Sequence, residues 1–490
     1  MNKLVILIQV PEDWADWHKN VWIKREKIVL PLSLLLLANY LKRKGMDVQI
    51  IDCDSMRMDW KAVEGILAEK KPDIIGFTSS TSSRFNTIDA IKKAKGLLPD
   101  TTVVVGGWHF SYVAEDTLRN LPEVDVVVRG EGELSLYEIV RAKRSKASFK
   151  DILGITYRDG EQIITNPDRP LYDNLDEFVI TENIEPAGAN LLEKTKWDDW
   201  AFPMMIGRRC PNNCTFCCQA IGRYRTKRVP VIMKEIIRKY EMTGVKRIFF
   251  YDPAFTTSPD VVTELCREIK KTGIGLKWHS FVRVETDFEL LKIMKDAGCE
   301  TVEFGLESGS PKVLRAIRKG IDLARVESFA RRCYELGLKS LVFTMVSLPE
   351  ERPEDAQMTL DFLRRIEKYV TKFARAVTII FPGTQLEVEA RNKKILPAGF
   401  SWFDRNFNNG NPDFAPANLP LYFEYLTPDY IRNVSNPEYA RLLIKKKTSI
   451  PGLIWKRSKA TFFDWRTESF AEKSLRMKRA IKYIKYKLSP

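Results

Sequence analysis

The 490-residue sequence predicts an α/β chain: a doubly wound parallel sheet, then a partial barrel of six β/α units, then a basic, partly helical C-terminal region. Three observations predict it. Strand-length apolar runs alternate with helical segments of about ten residues over residues 1–150. The same alternation resumes over residues 196–385, six strand-like runs in all. Within the second series, directly after its first run, Cys210, Cys214, Cys217 and Cys218 gather four of the eight cysteines.

In the first series, strands are expected at Leu4 to Val10, Val48 to Asp52, Ile74 to Thr78, Thr102 to Val105 and Val124 to Val128. Helices are expected at Leu32 to Lys44, Trp60 to Lys70 and Thr87 to Leu98. Such sheets bind ligands at the carboxyl ends of their strands. The unusual residues fall there: Thr78-Ser79-Ser80-Thr81-Ser82-Ser83, Gly106-Gly107-Trp108-His109 and Arg129-Gly130-Glu131-Gly132-Glu133. Hydroxyls and bare backbone at successive strand ends suit a large polar cofactor; each motif alone also reads as a turn.

Residues 151–195 read as a linker with a short hairpin, Ile152 to Tyr157 against Gln162 to Thr165, and carry no visible chemistry. The second series places strands at Phe202 to Ile206, Arg247 to Tyr251, Leu276 to Val282, Thr301 to Leu306, Ser340 to Met345 and Ala376 to Phe381. Barrels of this kind carry their sites on the loops after the strands. The CxxxCxxC loop is the first of these. Three thiolates leave a four-iron cluster one protein ligand short, so that one iron is open to a small molecule. On the cysteines alone, a zinc knuckle or a group of buried thiols is also open.

Composition bounds the rest. Hydrophobic residues make up 44% and charged residues 29%, ordinary for a globular protein of two to four domains. The longest apolar candidate, Ile28 to Tyr40, contains Pro31, Ser33 and Asn39 and falls short of the roughly 20 residues a bilayer requires. The N-terminus enters a strand with no cleavage signal, and the cysteines cluster as a metal site does in a reducing compartment, so a cytoplasmic protein is expected. Of the net charge of +15, most lies in residues 441–490, where 15 Lys and Arg face three acids. The nearly balanced remainder argues against a nucleic-acid groove. Residues 386–490 form a variable region, aromatic from Ala398 to Tyr425. Its tail, with Trp455, Phe462, Phe463 and Trp465 among basic residues, suits peripheral contact with an anionic membrane and equally an amphipathic helix packed on the barrel.

The second series resembles the radical S-adenosylmethionine (SAM) superfamily. The likeness rests on CxxxCxxC with Phe216 before its third cysteine, on Ile248-Phe249-Phe250-Tyr251-Asp252-Pro253 after the second strand, and on Glu303-Phe304-Gly305-Leu306-Glu307-Ser308-Gly309-Ser310 at the fourth. The first series is similar to the Rossmann-like cobalamin-binding domain that precedes many of these enzymes, through Asp52, Gly76, the Gly-Gly-x-His turn and the Arg-Gly-Glu-Gly-Glu loop. The resemblance implies a [4Fe-4S] cluster on Cys210, Cys214 and Cys217, with Cys218 a bystander. It implies SAM contacts from Glu307, Arg283, Gly305 and Ser308, and cobalamin contacts from Thr78, Ser79, Gly106, Gly107, Trp108, Glu131, Gly132 and Glu133. With no DxHxxG motif, it implies cobalamin without a histidine ligand, and His109 reads as a turn or supporting residue.

What the resemblance implies of activity is radical C-methylation. A 5'-deoxyadenosyl radical takes a hydrogen atom from an unactivated carbon and methylcobalamin delivers the methyl group, with a low-potential electron donor of flavodoxin or ferredoxin type as partner. The substrate is a small molecule, with a lipid or membrane-associated one suggested by the tail. A non-methylating oxidative cyclase like that of anaerobic magnesium-protoporphyrin metabolism remains open, as does a non-catalytic cobalamin- or metal-binding regulator. One departure stands out. Relatives usually carry Gly-Leu-Pro-Gly-Glu-Thr after the fifth strand, where this chain has Ser347-Leu348-Pro349-Glu350-Glu351-Arg352.

Overall fold

A computed structural model describes residues 4–11, 31–56, 58–182, 201–218, 222–407 and 419–434, all within one compact unit, residues 1–443. The basic tail and residues 408–418 of the aromatic stretch lie outside the described residues.

The first sheet contains β1 (Leu4–Gln9), β2 (Asp47–Asp52), β3 (Ile74–Thr78), β4 (Thr102–Gly106), β5 (Val126–Val128), β6 (Ile155–Asp159) and β7 (Gln162–Thr165), in the order β2-β1-β3-β4-β5-β6-β7. The first five are parallel. Their near-continuous Val and Ile content fits burial on both faces. One apolar layer packs Ile6, Ile8 and Val105 under α2 (Trp60–Lys70) and α3 (Arg84–Leu97). The other packs Val5, Leu7 and Val104 under α1 (Leu32–Arg43) and α5 (Gly132–Ser145), through Leu34, Leu41, Leu136 and Ile139. A short helix, α4 (Gly107–Tyr112), leaves the carboxyl end of β4. The chain order reverses between β1 and β3, the topological switch point at which such sheets bind ligands.

The hairpin expected in the linker joins this sheet, β6 pairing antiparallel with β5 and β7 with β6. Helix α3 starts at Arg84, three residues before the expected Thr87. Its first turn is buried, and Arg84 is held by the carbonyls of Trp402 (3.1 Å) and Thr81 (2.7 Å).

The second sheet is all parallel, in the order β15-β14-β13-β12-β11-β8. Its strands are β8 (Phe202–Met204), β11 (Arg247–Phe250), β12 (Lys277–Phe281), β13 (Cys299–Glu307), β14 (Lys339–Val346) and β15 (Lys372–Val377); a small ribbon pairs β9 (Gly207–Arg208) with β10 (Arg225–Thr226). Helices α6 (Val229–Thr243), α7 (Pro259–Lys271), α8 (Phe288–Asp296), α9 (Pro311–Ala316), α10 (Leu323–Glu335) and α11 (Pro353–Ile366) alternate with them, and α12 (Gln385–Asn392) follows β15. Asp287 and Asp322 cap α8 and α10 by accepting first-turn amide hydrogens. The core between strands and helices contains Phe250, Trp278, Phe304 and Phe329, with the Trp278 indole donating to the Ala297 carbonyl at 3.0 Å.

The sixth strand corrects the sequence expectation of Ala376 to Phe381. The ladder with β14 runs from Lys372 to Val377, on an edge strand whose alternation of Lys372, Phe373 and Arg375 conceals it. The denser apolar run beyond it turns to Leu421, which bridges to Ile379.

Candidate active site

The cysteine loop rises from the carboxyl end of the parallel barrel sheet. Its root is fixed by Asp252, which follows β11 and is fully buried. The two carboxylate oxygens accept from the amides of Ile206 (3.1 Å) and Gly207. Burial pushes the Asp252 carboxyl up to about 7 against the pull of those bonds. Next, Arg209 takes a left-handed turn, φ 74°. The loop is then tied at separated points: the Gly222 amide donates to the Cys210 carbonyl (3.1 Å), the Thr215 amide to that of Ile317 (3.1 Å), and the Leu386 amide to that of Thr215 (2.9 Å). Phe216 packs between two apolar clusters, one around Leu314, Ile317 and Leu348, the other around Ile380, Leu386 and Trp402.

Cys214 is buried and Cys210 and Cys217 are half-buried, none of them in a disulfide. Cys214 and Cys217 line a cavity of about 200 Å³ with Tyr112, Arg209, Thr384 and Gln385. Asn212 donates to the Cys210 sulfur at 3.2 Å. Cys218 does not line the cavity; its carbonyl accepts from the Tyr112 hydroxyl at 3.2 Å. Among the described residues no three Cys, His, Asp or Glu side chains are drawn into a ligand set. The donor chemistry nonetheless fits an iron-sulfur cluster, since three soft thiols outside any disulfide sit on one pinned loop and two of them, Cys214 and Cys217, border a cavity.

Of the other expected residues, Glu307 and Arg283 act on Cys214 of this loop, while Gly305 and Ser308 flank Glu307 on its strand end. Glu307 ends β13 in a left-handed conformation, φ 65°, at a slip in the ladder with β14. Its carboxylate meets Lys319 Nζ at 2.7 Å, both side chains nearly buried. A Cβ on Gly305 would run into both charged groups, so glycine is what lets the pair lie across the strand. Burial raises the Cys214 thiol, the charges of Lys319 and Arg283 oppose that, and Glu307 and Cys210 add to it; these groups share one local field. Arg283 itself forks onto Glu285 at 2.9 and 3.0 Å. Ser308 is fully buried and bonded to Thr359 Oγ1 (3.2 Å) and the Ser310 amide (3.1 Å), a brace for the turn after β13.

After β14, the two positions at which the resemblance leads one to expect glycine are left-handed, Ser347 at φ 65° and Glu350 at φ 63°. Glu351 accepts from the Leu348 amide at 3.0 Å, and burial pushes its carboxyl up to about 7.

At the first sheet, Thr78 and Gly106 end β3 and β4. Gly107 has φ 87°, and a Cβ there would sit 2.7 Å from Thr78 Oγ1 and 2.9 Å from the Ser79 carbonyl oxygen. Ser79 bonds the Ser80 carbonyl (2.8 Å), Ser83 Oγ (3.1 Å) and Thr87 Oγ1 (3.2 Å). His109 is buried, edge-on to Trp402, and burial with the nearby Arg84 charge holds it well below the ordinary histidine range. Trp108, by contrast, is 45% exposed, one helical turn from Tyr112 on α4. Gly107 thus lets α4 start hard against the end of β3, and the exposed Trp108 indole beside these hydroxyls and strand ends fits a flat, polar-fringed cofactor. Gly132 packs near Leu37, a Cβ there meeting its Cδ2 at 3.3 Å.

Glu131 and Glu133 turn to the barrel. Glu133 pairs with Arg208, and Glu131 with Arg225, Arg208 (3.4 Å) and Arg209 (3.7 Å). Burial alone would raise the Glu131 carboxyl; the hydrogen bond from Arg225 and the arginine charges outweigh it and hold it below its ordinary value. Arg208 and Arg225 pair in the β9–β10 ribbon on either side of the cysteine loop, and Arg209 follows β9. Tyr112, from the first sheet, forms part of the cysteine cavity wall, and Gly383 admits its ring because a Cβ there would overlap it. The carboxyl ends of both sheets thus reach one cavity.

The Radical SAM superfamily matches residues 204–363 and the B12 binding domain matches residues 19–140. An uncharacterized methyltransferase of Pyrococcus horikoshii is 33% identical over 73% of this chain and 77% of its own. The chain belongs to the cobalamin-dependent radical SAM enzymes. Its cofactors are a [4Fe-4S] cluster, SAM and cobalamin. The anaerobic magnesium-protoporphyrin IX monomethyl ester cyclase of Cereibacter sphaeroides is 26% identical over 67% of the chain, which spans only 55% of that protein. In fold, this radical SAM enzyme is similar to the radical SAM methyltransferase TsrM of Kitasatospora setae, with a TM-score of 0.68, 20% identity and coverage of 80% of this chain and 77% of that one. Lys319, Tyr112 and the Arg208–Arg225 ribbon were not predicted from the sequence, because no local pattern tells which basic or aromatic side chain turns inward. Among the described residues, no helix is long and apolar enough to cross a membrane.

Proposed function

We propose that this radical SAM enzyme is a C-methyltransferase acting on an unactivated carbon of a small molecule, with a lipid or other membrane-associated compound as the substrate class. The observation that carries the reading is Tyr112. It extends from the strand end that bears Gly106, Gly107 and Trp108 into the wall of the cavity lined by Cys214 and Cys217. Groups held at the two sheet ends would therefore face the same small space, as transfer of a methyl group to a carbon activated there requires. Bound, the cluster and SAM would supply hydrogen-atom abstraction, and cobalamin the methyl group.

The chain's own residues have simpler tasks. Cys210, Cys214 and Cys217 would hold the cluster. Glu307, held in place by its ion pair with Lys319, offers a fixed acceptor for an ammonium or hydroxyl of SAM, and Arg283 a fork for its carboxylate, with Gly305 leaving the approach open. Ser308 would support that turn. Thr78, Ser79, Gly106, Gly107 and Trp108 would border cobalamin, with Glu131, Gly132 and Glu133 at the adjoining loop. Methyltransferase relatives support methyl transfer, and the basic aromatic tail sequence supports the lipid class.

The test is anaerobic incubation of the reconstituted enzyme with methyl-labelled SAM, a strong reductant and a cell extract. The expected result is 5'-deoxyadenosine together with label in a solvent-extractable product. A product oxidised without gaining label would favour the cyclase reading, and protein that retains cobalamin but forms no 5'-deoxyadenosine would favour a regulatory one.

A further inference from the structure

A groove of about 550 Å³ runs along α9 and the turn that follows it, with Leu314, Ile321 and Leu323 as its apolar lining, Arg315 and Arg318 as its basic edge and Asp322 as its one acid, whose carboxylate is engaged in capping α10. Both arginines are exposed, and neither side chain has an ion pair or hydrogen bond among the described residues. Their neighbours are different: Lys312 pairs with Asp355 at 2.6 Å, and Lys319 with Glu307 at 2.7 Å. Two unmatched cations beside an apolar floor favour an acidic, partly apolar protein surface.

What lies beneath the groove makes the position informative. Leu314 belongs to the same apolar cluster that receives Phe216, the residue just before Cys217. The carbonyl of Ile317, between the two arginines, accepts from the Thr215 amide of the cysteine loop at 3.1 Å. From groove floor to cysteine loop there is therefore one layer of packed side chains. Reductive cleavage of SAM consumes one electron for each turnover, and that electron has to enter through the cluster.

We propose, building on the radical SAM reading above, that this groove docks a one-electron carrier protein of flavodoxin or ferredoxin type, with Arg315 and Arg318 engaging acidic residues around its redox group. In the transfer the carrier is oxidised by one electron and the cluster reduced by one; no bond is made or broken. The charged edge sets encounter and orientation, and the apolar cluster that holds Leu314 and receives Phe216 is the short path inward.

The experiment compares wild type with the Arg315→Glu/Arg318→Glu double variant and an Arg315→Lys/Arg318→Lys control. Each is reconstituted anaerobically and given either reduced flavodoxin or dithionite, with 5'-deoxyadenosine formation measured at low and high salt. Expected is a loss of about 10-fold or more for the Glu variant with flavodoxin at low salt, wild-type rates with dithionite, and near wild-type behaviour for the Lys control. Equal rates with flavodoxin in all three overturn the proposal. So does an equal loss with both reductants, which would give the arginines a role in the cluster or the fold. If wild type forms no 5'-deoxyadenosine even with dithionite, the radical reading fails. Direct titration with flavodoxin still decides the docking, supporting it if binding weakens only in the Glu variant and overturning it if wild type and variant bind alike.

Discussion

Replacing Lys319 with methionine keeps the side-chain length and removes its charge, leaving Glu307 without its partner in a site where its side chain is only 9% exposed. Breaking a buried ion pair from one side costs about 3–5 kcal/mol, because the remaining charge is desolvated with nothing to compensate it. The slight exposure favours the lower end. For a domain of barrel size, where each kcal/mol shifts Tm by roughly 2–4 °C, a loss of about 3 kcal/mol corresponds to a fall of about 6–12 °C. Calorimetry of the anaerobic, cluster-free protein, following the barrel transition, measures it. The double variant Lys319→Met/Glu307→Gln removes both charges and should recover about 1–3 kcal/mol relative to the sum of the singles. Additive single effects, or a Lys319→Met variant as stable as wild type at neutral pH, would refute the view that the pair is buried and mutually dependent.

Three other outcomes are expected. Cys218→Ala should retain the iron content and brown absorbance of wild type after reconstitution, whereas Cys210→Ala, Cys214→Ala or Cys217→Ala should each lose most of it, as iron analysis will show. Ser347→Gly should stabilise the barrel by about 1 kcal/mol in denaturant unfolding, since a left-handed non-glycine residue costs about 1–2 kcal/mol and glycine returns part of that as chain entropy. Glu351, with its carboxyl raised to about 7, favours the folded state while protonated, a contribution full below about 4.5 and lost as pH rises through about 7. Glu351→Gln should therefore flatten the decline in stability across that window, measured as Tm against pH.

The parallel sheets were legible because buried strands leave unbroken Val, Ile and Phe runs, and the cysteine loop because its spacing breaks that pattern. The sixth strand was misplaced because an edge strand with Lys372 and Arg375 looks less like a strand than the apolar run beyond it. The Glu307–Lys319 pair joins residues from a strand end and the turn after the next helix, and the Glu131–Arg225 pair joins residues nearly a hundred positions apart; only the fold brings them together. Ser347 and Glu350 show the reverse. The sequence there departs from the expected glycines, yet the backbone at both residues is left-handed, the region that favours glycine.

The arginine ribbon also constrains how such enzymes can be recombined. Glu131 and Glu133 belong to the first sheet's last helix, while their partners Arg208, Arg209 and Arg225 flank the cysteine loop. The natural place to graft a foreign cobalamin domain is the segment before β8, but a junction there would separate the acids from their arginines and strand buried charges on both sides. A chimera joined after Thr226, which carries the ribbon and the cysteines along with the donor's first sheet, should preserve the match. The unit of inheritance in this fold is then the first sheet together with the loop that ends at the ribbon, with the exchange point some thirty residues inside the barrel.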